Sequence, residues 1–351
     1  MQSQNTYQEC ATAPSQTWAR QLRSRVATLR AADAGKMTPV QIPYQIHLFK
    51  KSDSSSVLTL ADIYHEIDTV NSFYANANMF FYECAPPELI IDDSLYDFAS
   101  AEEPLLLSQH YTPDVLNLYF PNTARSGNTL VCGYSRYPPS VDLAVIAASC
   151  AKNGSTLPHE IGHYFGLMHT HETFTGAELV DGSNCSFAGD QICDTPADPM
   201  LDYSNVNTSC VYTGTVTDGN GAPYMPDVTN IMSYSRKECR FYFSPMQYAV
   251  LNTTMQNERS YLYCSFGLGI KEREQGLFTV FPNPGHESLF LSLKQEAEGS
   301  VFELYNALGS LVLSTALSRE QRLDTRSLPA GIYAYTLRIS GNTYRGKWVK
   351  D

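Results

Sequence analysis

The chain has 351 residues, a net charge of −12, 43% hydrophobic and 17% charged residues. That length suggests two or three domains, each able to bury a core, and the apolar share excludes a disordered chain. The acidic balance argues against a nucleic-acid partner, and no apolar run approaches the ~20 residues of a bilayer-spanning helix.

Residues Gln2 to Ala13 are polar and lack the apolar core of a signal peptide, so none is legible at this start. For the same reason Cys10 is not a lipoprotein cysteine. Ser15 to Ala32 is a helix-prone basic stretch with Leu22, Val26 and Leu29 on one face, broken by Gly35 and Pro39. Arg20, Arg23, Arg25, Arg30 and Lys36 offer cleavage points before the first strand. The pattern then predicts a strand over Val40 to Phe49, an amphipathic helix over Leu60 to Tyr74, and strands over Met79 to Cys84, Val115 to Phe120 and Leu143 to Ala147. His65 and Glu66 in that helix lack a second histidine at ligand spacing and read as surface or core-edge residues. Nine cysteines suit a secreted protein. Eight fall in the body of the chain, with Cys132 and Cys150 a local pair, and Cys10 stands apart. No C-x-x-C is present, which disfavours zinc ligation by the body cysteines, and sequence leaves their connectivity open.

A helix from Ser155 carries His159, Glu160, His163, Gly166 and His169 in an H-E-x-x-H-x-x-G-x-x-H string. Residues four apart share a helix face, so His159 and His163 can aim at one ion. Glu160 beside them can hydrogen-bond a metal-bound water and take its proton as that water attacks a peptide carbonyl. Gly166 tolerates the left-handed conformation that ends a helix sharply and lets His169 swing under the metal. Three imidazoles leave a fourth position for water, as in catalytic zinc sites. Histidines that merely sit on a surface are the competing reading, and the added Gly and third His make it improbable. A helix over Pro245 to Leu262 closes the loop-rich region that follows.

The string resembles the metzincin metallopeptidases, which carry a methionine turn beneath the zinc. Asn230-Ile231-Met232-Ser233-Tyr234 fits that turn: the resemblance implies Met232 as the floor under the histidines and Tyr234 as a hydroxyl reaching toward metal and oxyanion. Cys185 to Pro196 reads C-S-F-A-G-D-Q-I-C-D-T-P and, with Cys239 past the turn, is similar to the pappalysin-like metzincins over about residues 8 to 264. Within that family the G-D-x-x-x-D-T-P loop helps build a calcium site, here Asp190, Asp194 and the Thr195 carbonyl, hard oxygen donors all. An Asx-rich turn without an ion is the alternative. The resemblance also implies bridges Cys185 to Cys210 and Cys193 to Cys239. It further implies an inhibitory propeptide whose cysteine, here Cys10, fills the fourth zinc position as a thiolate. The family's glycine after that cysteine is Ala11 here, and a leftover thiol or a partner for another cysteine is the alternative. Relatives that prefer Arg or Lys just after the cut bond place an aspartate three residues after the methionine-turn tyrosine, at the base of the primed pocket. Lys237 stands there instead, which favours an acidic or neutral side chain unless the lysine runs out to solvent.

Beyond Phe266 the composition changes. Gly267 to Gly276 is a charged, Gly-flanked linker, followed by period-two strands over Leu289 to Leu293, Val301 to Tyr305, Leu311 to Ser314 and Ile332 to Ile339. Val280 to Pro284, Asn306 to Gly309, Leu328 to Tyr333 and Gly346 to Lys350 resemble the type IX secretion C-terminal sorting domain of Gram-negative bacteria. A carbohydrate-binding β-sandwich is the alternative, and would use exposed aromatics such as Tyr333, Tyr335 and Tyr344. The expected organisation is an α+β chain. It comprises an inhibitory segment (1–36), a metzincin zinc-peptidase domain with a mixed sheet, backing helices and a loop-rich lower half (37–266), a linker (267–276) and an all-β sandwich (277–351). The expected function is a secreted zinc endopeptidase, possessing Zn²⁺ and a calcium ion, acting on protein or peptide substrates and exported by the type IX machinery. The rival is a surface-displayed binding protein on a metzincin fold that no longer cuts, against which Glu160 and Tyr234 argue.

Overall fold

A computed structural model describes residues 7–29, 39–264, 278–282, 285–293, 300–306, 310–317, 320–339 and 342–351. The expected linker lies outside them. The chain divides into two units, Met1–Tyr263 and Cys264–Asp351, each with its own core.

In the first unit β1 (Val40–Lys50) is the hub. It pairs in parallel with β2 (Met79–Glu83), β3 (Glu88–Ile91) and β5 (Leu116–Phe120); β5 pairs in parallel with β9 (Leu143–Ile146), and β8 (Gly133–Ser135) closes the edge antiparallel to β9. The residues of β1 are buried almost without a break, because both faces are covered. Ile42, Ile46, Leu116 and Leu118 pack under α2 (Leu60–Tyr74), α4 (Thr156–Tyr164) and α5 (Pro245–Glu258). Phe49, Tyr119 and Val145 face a second cluster with α3 (Glu103–Gln109) and a small sheet of β4 (Asp97–Ala99), β6 (Thr123–Ser126) and β7 (Thr129–Val131). Capping boxes fix the starts of two helices: Thr59 with Asp62 for α2, and Ser244 with Gln247 for α5. The N-terminal helix α1 (Gln16–Val26) joins the main core through Trp18, Leu22 and Val26. Arg25 in it donates to Glu258 and Thr254 of α5, so it is a poor cleavage point. Arg20 and Arg23 sit in the same helix, and Arg30 and Lys36 lie outside the described residues.

The disulfides correct the expected staples. Cys132 pairs with Cys150 as the spacing suggested, but Cys185 bonds Cys193 and Cys210 bonds Cys239. Cys185 and Cys193 are eight residues apart on one tight loop whose Cα atoms come within 5.0 Å, so the loop closes on itself. Cys84 and Cys264 are also in disulfides, leaving Cys10 as the free cysteine among the described residues.

The second unit contains two sheets, β10 (Phe278–Phe281), β11 (Ser288–Leu293) and β14 (Glu320–Asp324), and β13 (Leu311–Ala316), β12 (Val301–Tyr305), β15 (Gly331–Ile339) and β16 (Asn342–Lys350). Leu289, Phe302, Leu337 and Trp348 fill the space between them. Tyr333 and Tyr335 belong to this core, which removes them as a sugar-stacking platform. The side chain of Tyr344 lies outside the described residues. Among the described residues no helix is long and apolar enough to cross a membrane.

Candidate active site

The loop entering α4 is held from two sides. Asn153 Oδ1 accepts the N–H groups of Ser155 and Thr156 at 3.0 and 2.9 Å, and Glu66 of α2 accepts that of Gly154 at 3.1 Å. Glu66 is therefore a buried support of the histidine helix, where the sequence pattern put it at the surface or core edge. At the other end Gly166 takes φ +95°, and its N–H bonds the His163 carbonyl at 2.8 Å. The reversal brings the third histidine back. His163 Nε2 lies 3.1 Å from His159 Nε2 and 3.0 Å from His169 Nε2.

The chemistry of this trio fits a cation. His159 Nδ1 is 2.8 Å from the Ile231 carbonyl and His163 Nδ1 is 2.7 Å from the Leu167 carbonyl. A carbonyl only accepts, so both protons sit on Nδ1 and both Nε2 atoms present bare lone pairs to each other. Buried lone pairs at such a distance repel unless a positive ion lies among them, and a tetrahedral zinc with bonds of ~2.1 Å spreads its ligands ~3.4 Å apart. Burial pushes all three imidazoles toward the neutral, ligating form, His163 to about 3 and His159 and His169 well below the ordinary range. Tyr137, which sequence reasoning missed, donates to the Leu167 carbonyl at 3.1 Å with its hydroxyl 3.0 Å from His163 Nδ1. Nothing in its Arg-Tyr-Pro-Pro context signals that role.

Cys10 completes the group. Its Sγ and one nitrogen from each of His159, His163 and His169 all lie within 4.8 Å of one another. Among the described residues this is the one cluster of three or more His, Cys, Asp or Glu ligand atoms. The thiol is buried, contacts Glu160 Oε2 at 3.5 Å and accepts the Thr12 N–H at 3.2 Å. Thr12 Oγ1 donates to the same carboxylate oxygen at 3.1 Å and accepts the Ser135 N–H at 2.8 Å. Ala11 bonds the Gly133 carbonyl at 3.1 Å and has no positive φ, so this segment has no need of the glycine found in relatives.

Glu160 is fully buried, and burial raises its pKa to about 8 against the opposing hydrogen bonds from Cys10 and Thr12. Its Oε1 has no protein partner among the described residues. Met232 is buried beneath the helix; its N–H bonds Asn230 Oδ1 at 2.9 Å, and Asn230 is braced by Gln247 at 2.8 Å. Tyr234, two residues on, packs against His169 with ring centroids 4.8 Å apart and donates to the Cys10 carbonyl at 3.2 Å. A peptide carbonyl lying in this cleft is thus within reach of its hydroxyl.

Comparison with known proteins agrees in both halves. Residues 109–255, which span the three clustered histidines and the methionine turn, match the pregnancy-associated plasma protein-A family of peptidases, and residues 279–351 match the secretion system C-terminal sorting domain. The chain thus resembles a metallopeptidase family in one segment and a sorting domain in the other. An extracellular metalloprotease of Pyricularia oryzae is 26% identical over 65% of this chain and 79% of its own length. One of Colletotrichum graminicola is 28% identical over 62% of this chain and 77% of its own. A solved structure of mirolysin in complex with a compound is 19% identical, with TM-score 0.49, and covers 65% of this chain and 97% of that one.

Two further predicted sites of the peptidase segment differ in outcome. Asp190 and Asp194 are both engaged by protein: Asp190 accepts the Thr195 hydroxyl at 2.9 Å and the Ile192 N–H at 2.9 Å, while Asp194 accepts the Ser244 hydroxyl at 2.6 Å and the Met246 N–H at 2.8 Å. Asp194 therefore tethers the start of α5 to the loop. Lys237 does not run to solvent: its Nζ lies 3.2 Å from Thr156 Oγ1, 3.3 Å from Cys132 Sγ and 3.4 Å from Glu9 Oε2.

Proposed function

We propose that the chain is a secreted zinc-dependent endopeptidase, latent while its N-terminal segment lies in the cleft. His159, His163 and His169 would hold the zinc. When bound, it supplies a Lewis acid that acidifies water and polarises a peptide carbonyl. Glu160 receives the proton of the attacking water and passes it to the leaving amine. Its dry setting raises its basicity toward neutral pH. Tyr234 orients the scissile carbonyl and donates to the oxygen as charge develops there. Cys10 takes the place that water and substrate need, Zn²⁺ being strongly bound by thiolate. The sorting domain would bring the chain to the type IX machinery.

The observation that carries this reading is the convergence of three histidine Nε2 atoms, two of them unprotonated, beside a buried carboxylate. A displayed binding protein would not need Glu160 held dry at that place. The test is cleavage of a casein-type substrate by the activated chain, abolished by a chelator and restored by zinc. Cleavage that ignores chelation, or none from any preparation, refutes it.

A further inference from the structure

Beside the histidine cluster lie two cations whose only ion-pair partner among the described residues comes from the N-terminal segment. Arg240 is buried, with its side chain 2% exposed. It spends Nη1 on the Ser233 carbonyl at 2.9 Å, and its Nε has no partner among the described residues. Its Nη2 meets Glu9 Oε2 at 3.1 Å, and Lys237, its side chain 15% exposed, meets the same oxygen through Nζ at 3.4 Å. Lys237 is fixed by Thr156 at the start of the histidine helix, and Arg240 by the end of the methionine turn, so both belong to the frame of the site.

Glu9 reaches them because of how the segment lies. The Gln8 N–H bonds the Leu130 carbonyl at 2.9 Å, the Cys132 N–H bonds the Gln8 carbonyl at 2.8 Å, and the Ala11 N–H bonds the Gly133 carbonyl at 3.1 Å. Residues 8–11 are thus laid as an extended peptide along residues 130–133, the way a chain is added to a sheet edge. Cys10 places its sulfur at the histidines, so the side chain of the residue before it, Glu9, enters the pocket adjoining the reacting position. Without Glu9 the pocket keeps two largely buried positive charges with no ion-pair partner, a costly state that a ligand carboxylate relieves.

We propose that Lys237 and Arg240 form an acid-selective subsite that takes a Glu or Asp side chain of the substrate residue just after the scissile bond, and that Glu9 occupies it in the latent chain. This rests on the peptidase reading above, and departs from relatives that prefer basic residues there. Like charge excludes Arg and Lys; the paired cations hold a carboxylate.

Two measurements test it. Cleavage of a peptide library by the activated chain should enrich Glu and Asp directly after the cut by about tenfold or more over Arg and Lys, with Lys237→Asp moving the preference toward basic residues. Enrichment of Arg or Lys by the parent chain overturns the proposal. The second needs no turnover, so it decides the pocket even if no peptide is cut. In the intact chain the alkylation rate of Cys10, the free cysteine, reports docking of the segment. Glu9→Lys should raise that rate about tenfold or more, Glu9→Asp should change it little, and the swap Glu9→Lys with Lys237→Glu should restore most of the protection. A Glu9→Lys chain as well protected as its parent, or a swap that restores nothing, overturns the proposal.

Discussion

A Cβ built on Gly162 would lie 2.5 Å from the Met232 sulfur. The histidine helix and the methionine turn therefore meet through a missing side chain, between Glu160 and His163. Two effects oppose each other in Gly162→Ala. Helix propensity favours alanine by about 1 kcal/mol, while forcing a methyl into a packed floor costs about 1–3 kcal/mol. Because the sulfur is fully buried, the clash should win: the variant is expected to melt earlier and bind zinc more weakly. Met232→Ala in the same chain should recover part of the metal affinity. A Gly162→Ala chain more stable than its parent contradicts this contact.

Glu160→Gln separates the base from the ligands. The three histidines and their carbonyl partners are untouched, so metal analysis should still find about one zinc per chain. Peptidase activity should fall by about 10²–10⁴-fold, the usual contribution of a positioned base. Activity close to that of the parent removes Glu160 from the mechanism.

The N-terminal segment has two anchors at different places. Cys10 reaches the histidines, and Trp18 seats the segment on the turn beyond them, donating its indole N–H to the Gly166 carbonyl at 3.1 Å. A side chain at Gly166 would strike the Trp18 ring at 2.3 Å, so that glycine serves both the helix reversal and the docking of α1. Cys10→Ala should be active before processing. Trp18→Ala should loosen the segment through the ~3–5 kcal/mol of a buried aromatic lost, and raise the Cys10 alkylation rate. Silence of unprocessed Cys10→Ala makes the cysteine a bystander.

How far the site was legible follows from where its information resides. His159, His163, His169 and Gly166 obey helical spacing and a chain reversal, both local rules, and the structure brings them together as read. The limits of α2, at Leu60 and Tyr74, agree for the same reason. Strands β14 and β16 escaped because their alternation is interrupted by charged residues that the edge of a sheet tolerates, and β10 because it is only four residues long and runs into Pro282. Glu9, Thr12, Tyr137 and Arg240 were missed because each acts through partners more than a hundred residues away or outside any motif; no period or spacing encodes such contacts. The bridges failed on the same ground: Cys185 had two partners at reasonable spacing, and the path of the loop chose Cys193.

Glu178 offers a test of pH dependence and of calcium together. It is buried beside Gly189, where an added Cβ would meet its Oε2 at 2.6 Å, and burial alone raises its pKa to about 7. A folded pKa above the unfolded value means that the folded chain binds this proton more tightly. The associated stability is full below about pH 4.5 and is lost as pH rises through 7. Glutamine has the same shape and nothing to lose. Without an ion nearby, Glu178→Gln should match the parent near pH 4 and exceed it at pH 8 by roughly 1–3 kcal/mol, read from thermal melts. A calcium ion in the Asp190 loop reverses the sign, because its charge would hold Glu178 ionised and favourable. In that case the variant melts earlier at pH 8, and added calcium stabilises the parent more than the variant. Melts across pH 4–8 with calcium and with a chelator therefore decide whether the Asp190 and Asp194 loop is an ion site or a hydrogen-bonded turn.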